Sequence, residues 1–582
     1  MMCTMIRSAA ALLVTLFLAA VSSVPAAQRP NQDATVDLMI VNGRVYSGAG
    51  TFHEAVAISG NRVLQVGRTA DIEQLRTPAT EVIDAAGRAV LPGFNDSHVH
   101  FVAGGFALQD VDLSGLTTVR EVQAAISAFA SRGVQGPREA SPRSDRKPEE
   151  SWVRGRGWLY SPFPGGLPTK QQLDEVVPDR PAIMECYDGH SIWVNSKALQ
   201  LAGITAATPD PKNGVIVKDP KTGEPTGVLK EAAQALVNAV LPRPTREDRR
   251  AALRAAVAEA HRVGVTSVQN ANGSADDFGL YAEAQQAGDL KVRMYSALSI
   301  SPGFTEAAAD AFEAVRARHR DDPGLRGGIV KIMSDGVIES RTAAMLAPYE
   351  KSTSSGTPNY SVEELDRIIA LMDRRGWQIE VHAIGDRAVR MTLDAFERAG
   401  AANPPPARGR RHRIEHIETI QAADIPRFGK LGVIASQQPM HVVLGDMNTP
   451  GFSGPWPDNI GRDRASRAWS WKSIIDAGGR ATFGSDWPVA TLDPLQGIWL
   501  ATTRLAAPGM RDQKLSMQQA IDGYTSSPAY ASFEEQRKGT LAPGMLADVV
   551  ILSRDIFARP PVKPEDIVVD ATIFDGKIVY RR

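Results

Sequence analysis

Gly93-Phe94-Asn95-Asp96-Ser97-His98-Val99-His100 follows directly on the apolar run Ala89-Val90-Leu91-Pro92. In an extended strand, residues two apart share a face. His98 and His100 therefore aim two imidazoles at one place, at the carboxyl end of a strand. Two neutral imidazoles so placed make half of a divalent-metal site. The chain has 10 histidines in 582 residues, so the other ligands have few places to come from.

Downstream, several apolar strands end on a polar residue. Gly328-Ile329-Val330 runs into Lys331, Ile379-Glu380-Val381 into His382, Arg413-Ile414-Glu415 into His416, and Ala481-Thr482-Phe483-Gly484-Ser485 into Asp486. Helices alternate with these strands. Thr245 with Asp248 opens one that Gly264 ends, before Val265-Thr266-Ser267-Val268; Ser361 with Glu364 and Ser516 with Gln519 open others. This alternation predicts an α/β chain folded as a (β/α)₈ barrel over residues 92–535, with an insertion at about 105–245. The charged, Pro/Ser-rich stretch 136–150 within the insertion reads as a surface loop. In such a barrel, chemistry sits at the carboxyl ends of the strands.

Both chain ends have β texture. Asn42-Gly43, Ser59-Gly60-Asn61 and Ala86-Gly87 predict hairpins in the first part, and Asp575-Gly576 predicts one near the end. Residues 28–91 and 536–582 are each too short for a stable core, so they are expected to form one small β-sandwich domain together.

Composition excludes some classes. Lys+Arg (65) and Asp+Glu (66) nearly cancel, which leaves no electrostatic footprint for nucleic acid. Arg7, the apolar stretch from Ala9 to Ala20 and Val24-Pro25-Ala26-Ala27 read as a secretory signal over residues 1–27. The expectation is an exported protein, periplasmic or extracellular, without a stable membrane span after processing. A homodimer is the default assembly. Cys3 falls in the signal, which leaves Cys186 as the one mature cysteine. In Ala182-Ile183-Met184-Glu185-Cys186-Tyr187 it reads as a buried strand residue.

Taken in order, these residues resemble the amidohydrolase superfamily, and within it the amidohydrolase-3 branch that includes enzymes similar to N-substituted formamide deformylase. The resemblance also rests on Gly155-Arg156-Gly157-Trp158, Asp188-Gly189-His190-Ser191-Ile192-Trp193-Val194-Asn195, Lys331-Ile332-Met333-Ser334-Asp335-Gly336 and His382-Ala383-Ile384-Gly385-Asp386. Tyr524-Thr525 and Gly544-Met545-Leu546-Ala547-Asp548 add to it. It covers nearly all of the chain after the signal.

The resemblance implies two divalent ions, usually zinc. His98, His100 and Asp486 would hold one, His382 and His416 the other, and Lys331 would bridge them as an N-carboxylated lysine. A bare Lys331 paired with Asp335 is the second reading of that position. The implied reaction is hydrolysis of a non-peptide carbon–nitrogen bond of a small-molecule amide by a metal-activated hydroxide, with Asp486 as general base and then acid. His190 is a candidate to contact the substrate carbonyl, or else a structural loop histidine. His441, after Gln437-Gln438-Pro439-Met440, is a candidate lining residue, and Trp158, Trp193 and Trp487 are candidate apolar walls. His53, His261, His319 and His412 read as surface residues. Many relatives carry His or Asp where Gln269-Asn270 stand here. Lactone or ester hydrolysis, deamination, and a non-catalytic binding role on the same fold are the competing readings.

Overall fold

The computed structural model describes residues 35–131, 152–187, 189–212, 214–443, 455–504, 511–558 and 563–582. The expected export signal and the stretch 136–150 lie outside the described residues, as does Asp188. No helix among the described residues is long and apolar enough to cross a membrane.

Eight strands form one sheet: β1 (Phe94–Val99), β2 (Val265–Asn270), β3 (Arg293–Ile300), β4 (Leu325–Met333), β5 (Gln378–Ala383), β6 (Arg413–His416), β7 (Ile434–Gln437) and β8 (Arg480–Phe483). Each pairs with the next in parallel. The ends of the sheet meet just beyond β8. The Asp486 amide donates to the His98 carbonyl at 2.7 Å, and the His100 amide donates to the Trp487 carbonyl at 2.8 Å. The (β/α)₈ barrel is thus closed where its first histidines and its last aspartate leave their strands.

The helices form where capping chemistry favours them. Arg246–Arg262 begins on a capping box between Thr245 and Asp248, and Met517–Gly523 on one between Ser516 and Gln519. Ser361 caps Val362–Arg374 by accepting the Glu364 amide. The short helix Phe101–Ala107 follows β1 and packs backbone to backbone on Arg246–Arg262. A Cβ on Gly105 would stand 1.9 Å from the Ala252 carbonyl oxygen. Gly105→Ala is therefore expected to destabilise the fold by ~1–3 kcal/mol, read as a lowered thermal unfolding midpoint; an unchanged midpoint would contradict the close packing.

The chain ends build two further sheets. One runs Lys577–Arg581, Val569–Phe574, Val549–Leu552, Ala89–Pro92, Arg44–Gly48, Thr51–His53, so both ends share it. The other runs Arg62–Gly67, Ala55–Ser59, Leu38–Val41, Glu81–Asp84. Leu38, Ile40 and Val56 of one pack with Val45, Val549 and Ile573 of the other. The hairpins at Gly60-Asn61 and Asp575-Gly576 are present. Those at Asn42-Gly43 and Ala86-Gly87 are not, because the strands they join pair in different sheets. Leu38–Val41 is buried along its whole length and takes a partner on each edge, so the turn at Asn42 crosses between layers.

Between β1 and β2 the chain builds a six-stranded sheet, in the order Gly214–Lys218, Pro225–Glu231, Ser191–Val194, Ala182–Cys186, Val153–Trp158, Val111–Asp112. Cys186, Trp158 and Trp193 are buried in its core. Two surface expectations fail. His261 sits against Phe574 with Nε2 2.7 Å from the Lys291 carbonyl oxygen. His412 is buried with Nε2 3.0 Å from Asp373 Oδ1, and its Nδ1 accepts the Ile379 amide. Distant elements cover both rings, and a helical or polar local context carries no trace of that cover.

Candidate metal centre

A cavity of about 200 Å³ opens at the carboxyl ends of the barrel strands. His98, His100, Lys331, His382, His416 and Asp486 all line it. Tyr187, Met333, Val337, Glu339, Ile384, Glu418, His441 and Val489 complete its described wall. His190 is not part of that wall. It lies at the start of Ser191–Val194 in the inserted sheet, with Nδ1 3.0 Å from Glu231 Oε2. The three candidate tryptophans do not line the cavity either, and Trp487 packs instead on Phe101.

The polypeptide is strained where it delivers these groups. His416, Ile417 and Asp486 have φ of 72°, 51° and 58°, a left-handed region that disfavours residues with a Cβ. Such strain persists only where surrounding contacts enforce it. At Asp486 the enforcing contacts come from Asp96, whose buried carboxylate accepts the His98 and Ser485 amides at 3.0 Å. Asp335 plays the same part beside His382. It accepts the amides of Ile384, Gly385 and Ala344 at 2.9–3.1 Å, while burial pushes its carboxyl up to about 7. It is not paired with Lys331.

The convergent atoms are close. His98, His416 and Asp486 offer ligand atoms that all lie within 4.8 Å of one another. Asp486 Oδ1 is 3.0 Å from His100 Nε2 and 3.4 Å from His98 Nε2. Lys331 Nζ is 3.4 Å from His98 Nε2. The His382 and His416 ring centroids are 4.5 Å apart. His416 Nδ1 is buried with no hydrogen-bond partner, and Asp486 Oδ1 lacks a well-formed one. Buried nitrogen and oxygen donors left open around one point fit a divalent cation.

Electrostatics divide the histidines. Burial, with the Lys331 ammonium next, pushes His382 down to about 3. Burial, with His382 beside it, holds His416 well below the usual range. Both are therefore neutral imidazoles, the form that binds metal. Burial and Lys331 also oppose charge on His98, but Glu415 and Asp486 on its two nitrogens outweigh them and raise it to about 9. Burial pushes the Asp486 carboxyl up, yet His98 and the contact from His100 prevail and hold it well below the carboxylate range.

Beneath the cavity lies a charged layer that sequence reasoning missed. Glu415 Oε2 is 2.6 Å from His98 Nδ1. Arg413 Nε lies 3.4 Å from Glu415 Oε1, and its guanidinium also donates to Glu380. Gln269 Oε1 accepts from Arg413 at 2.6 Å, which accounts for a glutamine at that position. All four side chains are buried. A signal was present: Arg413 and Glu415 stand two apart in one short strand and so share a face.

A closed parallel barrel that gathers imidazoles, a lysine and an aspartate at its carboxyl-end cavity defines a metal-dependent hydrolase. Residues 81–580 match the amidohydrolase family, and the chain belongs to that family. It is 33% identical over 530 residues to a putative amidohydrolase of Bacillus subtilis, covering 88% of this chain and 92% of that one. It is 28% identical over 564 residues to N-substituted formamide deformylase of Arthrobacter pascens, covering 94% and 98%. The solved structure of an uncharacterized metal-dependent hydrolase from Pyrococcus furiosus superposes with a TM-score of 0.67 at 26% identity, covering 90% of this chain and 100% of that one.

Proposed function

We propose that the protein hydrolyses a non-peptide carbon–nitrogen bond of a small-molecule amide, using two zinc ions. His98, His100 and Asp486 would hold one ion and His382 and His416 the other. Lys331 would bridge them after its free amine adds carbon dioxide and loses a proton to become an N-carboxylate. The carrying observation is the convergence of His98, His416 and Asp486 ligand atoms within 4.8 Å, with His416 Nδ1 left open.

When bound, divalent ions there supply Lewis acidity, polarising a carbonyl and making water more acidic. The rest falls to the chain. Asp486, buried and held by His98 and His100, accepts the proton of the attacking water. As the tetrahedral centre collapses it returns that proton to the leaving nitrogen. Glu415 accepts the Nδ1 proton of His98, which fixes the tautomer with Nε2 free to face the ion. The buried Lys331 side chain has no ion-pair partner among the described residues, which suits a group that is chemically modified in the working protein.

The test is elemental analysis of the purified protein together with intact-mass measurement. About two equivalents of zinc and a carbon dioxide increment on Lys331 are expected, and hydrolysis of N-acyl or N-formyl amines should vanish on chelation and return on reconstitution. Metal-free protein that retains full hydrolysis would refute the reading.

A further inference from the structure

The motif Gly155-Arg156-Gly157-Trp158 has no part in the hydrolysis proposed above. It forms most of the inserted strand Val153–Trp158. A Cβ on Gly155 would stand 2.4 Å from Met184 Sδ and 2.5 Å from Val111 Cγ1, so the strand lies close against both neighbours. Gly157 has φ of 85°, and the pairing with Ala182–Cys186 shifts register between Arg156 and Trp158. Irregularities of this kind re-aim a side chain. Trp158 turns into the core of the inserted sheet, where its indole N–H donates to the Met184 carbonyl at 2.9 Å. Arg156 reaches out of that sheet to the barrel. Its Nη1 donates to the Pro488 carbonyl at 2.7 Å, while Nη2 lies 3.9 Å from Asp112 Oδ2.

Pro488 stands two residues after Asp486, in the turn that delivers the general base. The barrel holds the earlier steps of that turn. The Asp486 amide donates to the His98 carbonyl, the Trp487 amide to Ser485 Oγ, and the His100 amide to the Trp487 carbonyl. The next contact in line, on Pro488, comes from Arg156. Val489 then lines the cavity and donates its amide to the Asp486 carbonyl. A shift of Pro488 therefore reaches Asp486 both along the chain and through that bond. Asp486 has φ of 58°, which a residue with a Cβ keeps only while its surroundings over-determine it. We infer that Arg156 is a positioning residue for the general base: the inserted sheet holds the Asp486 turn through the Pro488 carbonyl. This inference rests on the hydrolase reading above. The bond goes to a backbone carbonyl outside the proposed ligand set, so Arg156 acts through Asp486 and touches neither ion nor substrate.

The test compares three variants with the unaltered protein in saturating zinc. Arg156→Met keeps the apolar stem and removes the donors. It is expected to lower kcat for N-butylformamide by ~10–100-fold with KM little changed, the effect of a reacting group displaced by about 1 Å. Arg156→Lys keeps a cationic donor for the same carbonyl and loses less. Arg154→Met removes a guanidinium from the same strand, one whose Nε lies 3.7 Å from Asp110 Oδ1, and keeps its kcat. Hydrogen exchange of the zinc-loaded proteins supplies a readout apart from turnover: in Arg156→Met, exchange rises in the segment 485–492 and not elsewhere. An unchanged kcat in Arg156→Met, an equal loss in Arg156→Lys or Arg154→Met, or exchange that rises throughout the chain or nowhere overturns the proposal. If the unaltered protein hydrolyses neither N-butylformamide nor N-butylacetamide, the amide reading has failed separately. The exchange measurement then decides by itself whether Arg156 holds the Asp486 turn.

Discussion

Replacing Asp486 with asparagine is expected to lower kcat by ~10²–10⁴-fold, the range that a positioned general base contributes. The substitution keeps the side chain's size. It also leaves intact the backbone bonds at this position, since the Asp486 amide still donates to the His98 carbonyl across the barrel seam and the Asp486 carbonyl still accepts the Val489 amide in the turn that follows. What it removes is the negative oxygen 3.0 Å from His100 Nε2 and 3.4 Å from His98 Nε2. An amide oxygen there neither accepts a proton from water nor returns one to nitrogen. Turnover, zinc content and the unfolding midpoint measured on the same preparation separate the causes. Full hydrolysis by the variant would remove Asp486 from the mechanism.

The second large effect is expected at Arg413, which touches no substrate. Its guanidinium is fully buried between Glu380 and Glu415. Arg413→Leu strips Glu380 of its guanidinium partner and leaves Glu415 only its contact with His98, and breaking a buried pair in this way costs ~3–5 kcal/mol. Glu415 loses its anchor at the same time and no longer holds His98 firmly. On the proposed function, metal affinity is therefore expected to fall ~10–100-fold, the effect of disturbing the partner of a ligating histidine. The triple variant Glu380→Leu, Arg413→Met, Glu415→Leu separates the two consequences. With the guanidinium and both carboxylates removed together it recovers part of the lost stability, but His98 still lacks its partner, so zinc affinity stays low. Recovery of both properties would show that the layer serves packing alone.

The barrel was legible in the sequence because its signals are local. Thr245 with Asp248 and Ser516 with Gln519 cap helices through contacts three residues apart, and the apolar strands announce themselves as short runs. The polar residue following each run was legible for the same reason: His98, His100, Lys331, His382, His416 and Asp486 lie at or near the carboxyl ends of their strands wherever the strands lie. The turns misled where pairing is not local. Asn42-Gly43 has the composition of a hairpin, but its arms are recruited by strands as distant as Glu81–Asp84 and Ala89–Pro92. Glu415 and Glu418 were passed over because each looks like an ordinary charge beside His416. Their meaning lies in what stands opposite them, His98 and Arg413 for the first, Trp456 and His441 for the second.

The sequence by itself determined the alternation of strand and helix, the order of the strand-end groups and their chemical types, because backbone periodicity and capping act over a few residues. Only the tertiary structure decided that these groups share one cavity. Closure of the sheet brings Ser485 to Asp96 across 389 residues of chain, and that contact sets Asp486 against His98 and His100. Closure also places Arg413 and Glu415 beneath His98 and turns Glu418 and His441 into the space above. Long-range strand pairing makes those choices, because a barrel can close only when every strand has found its neighbour.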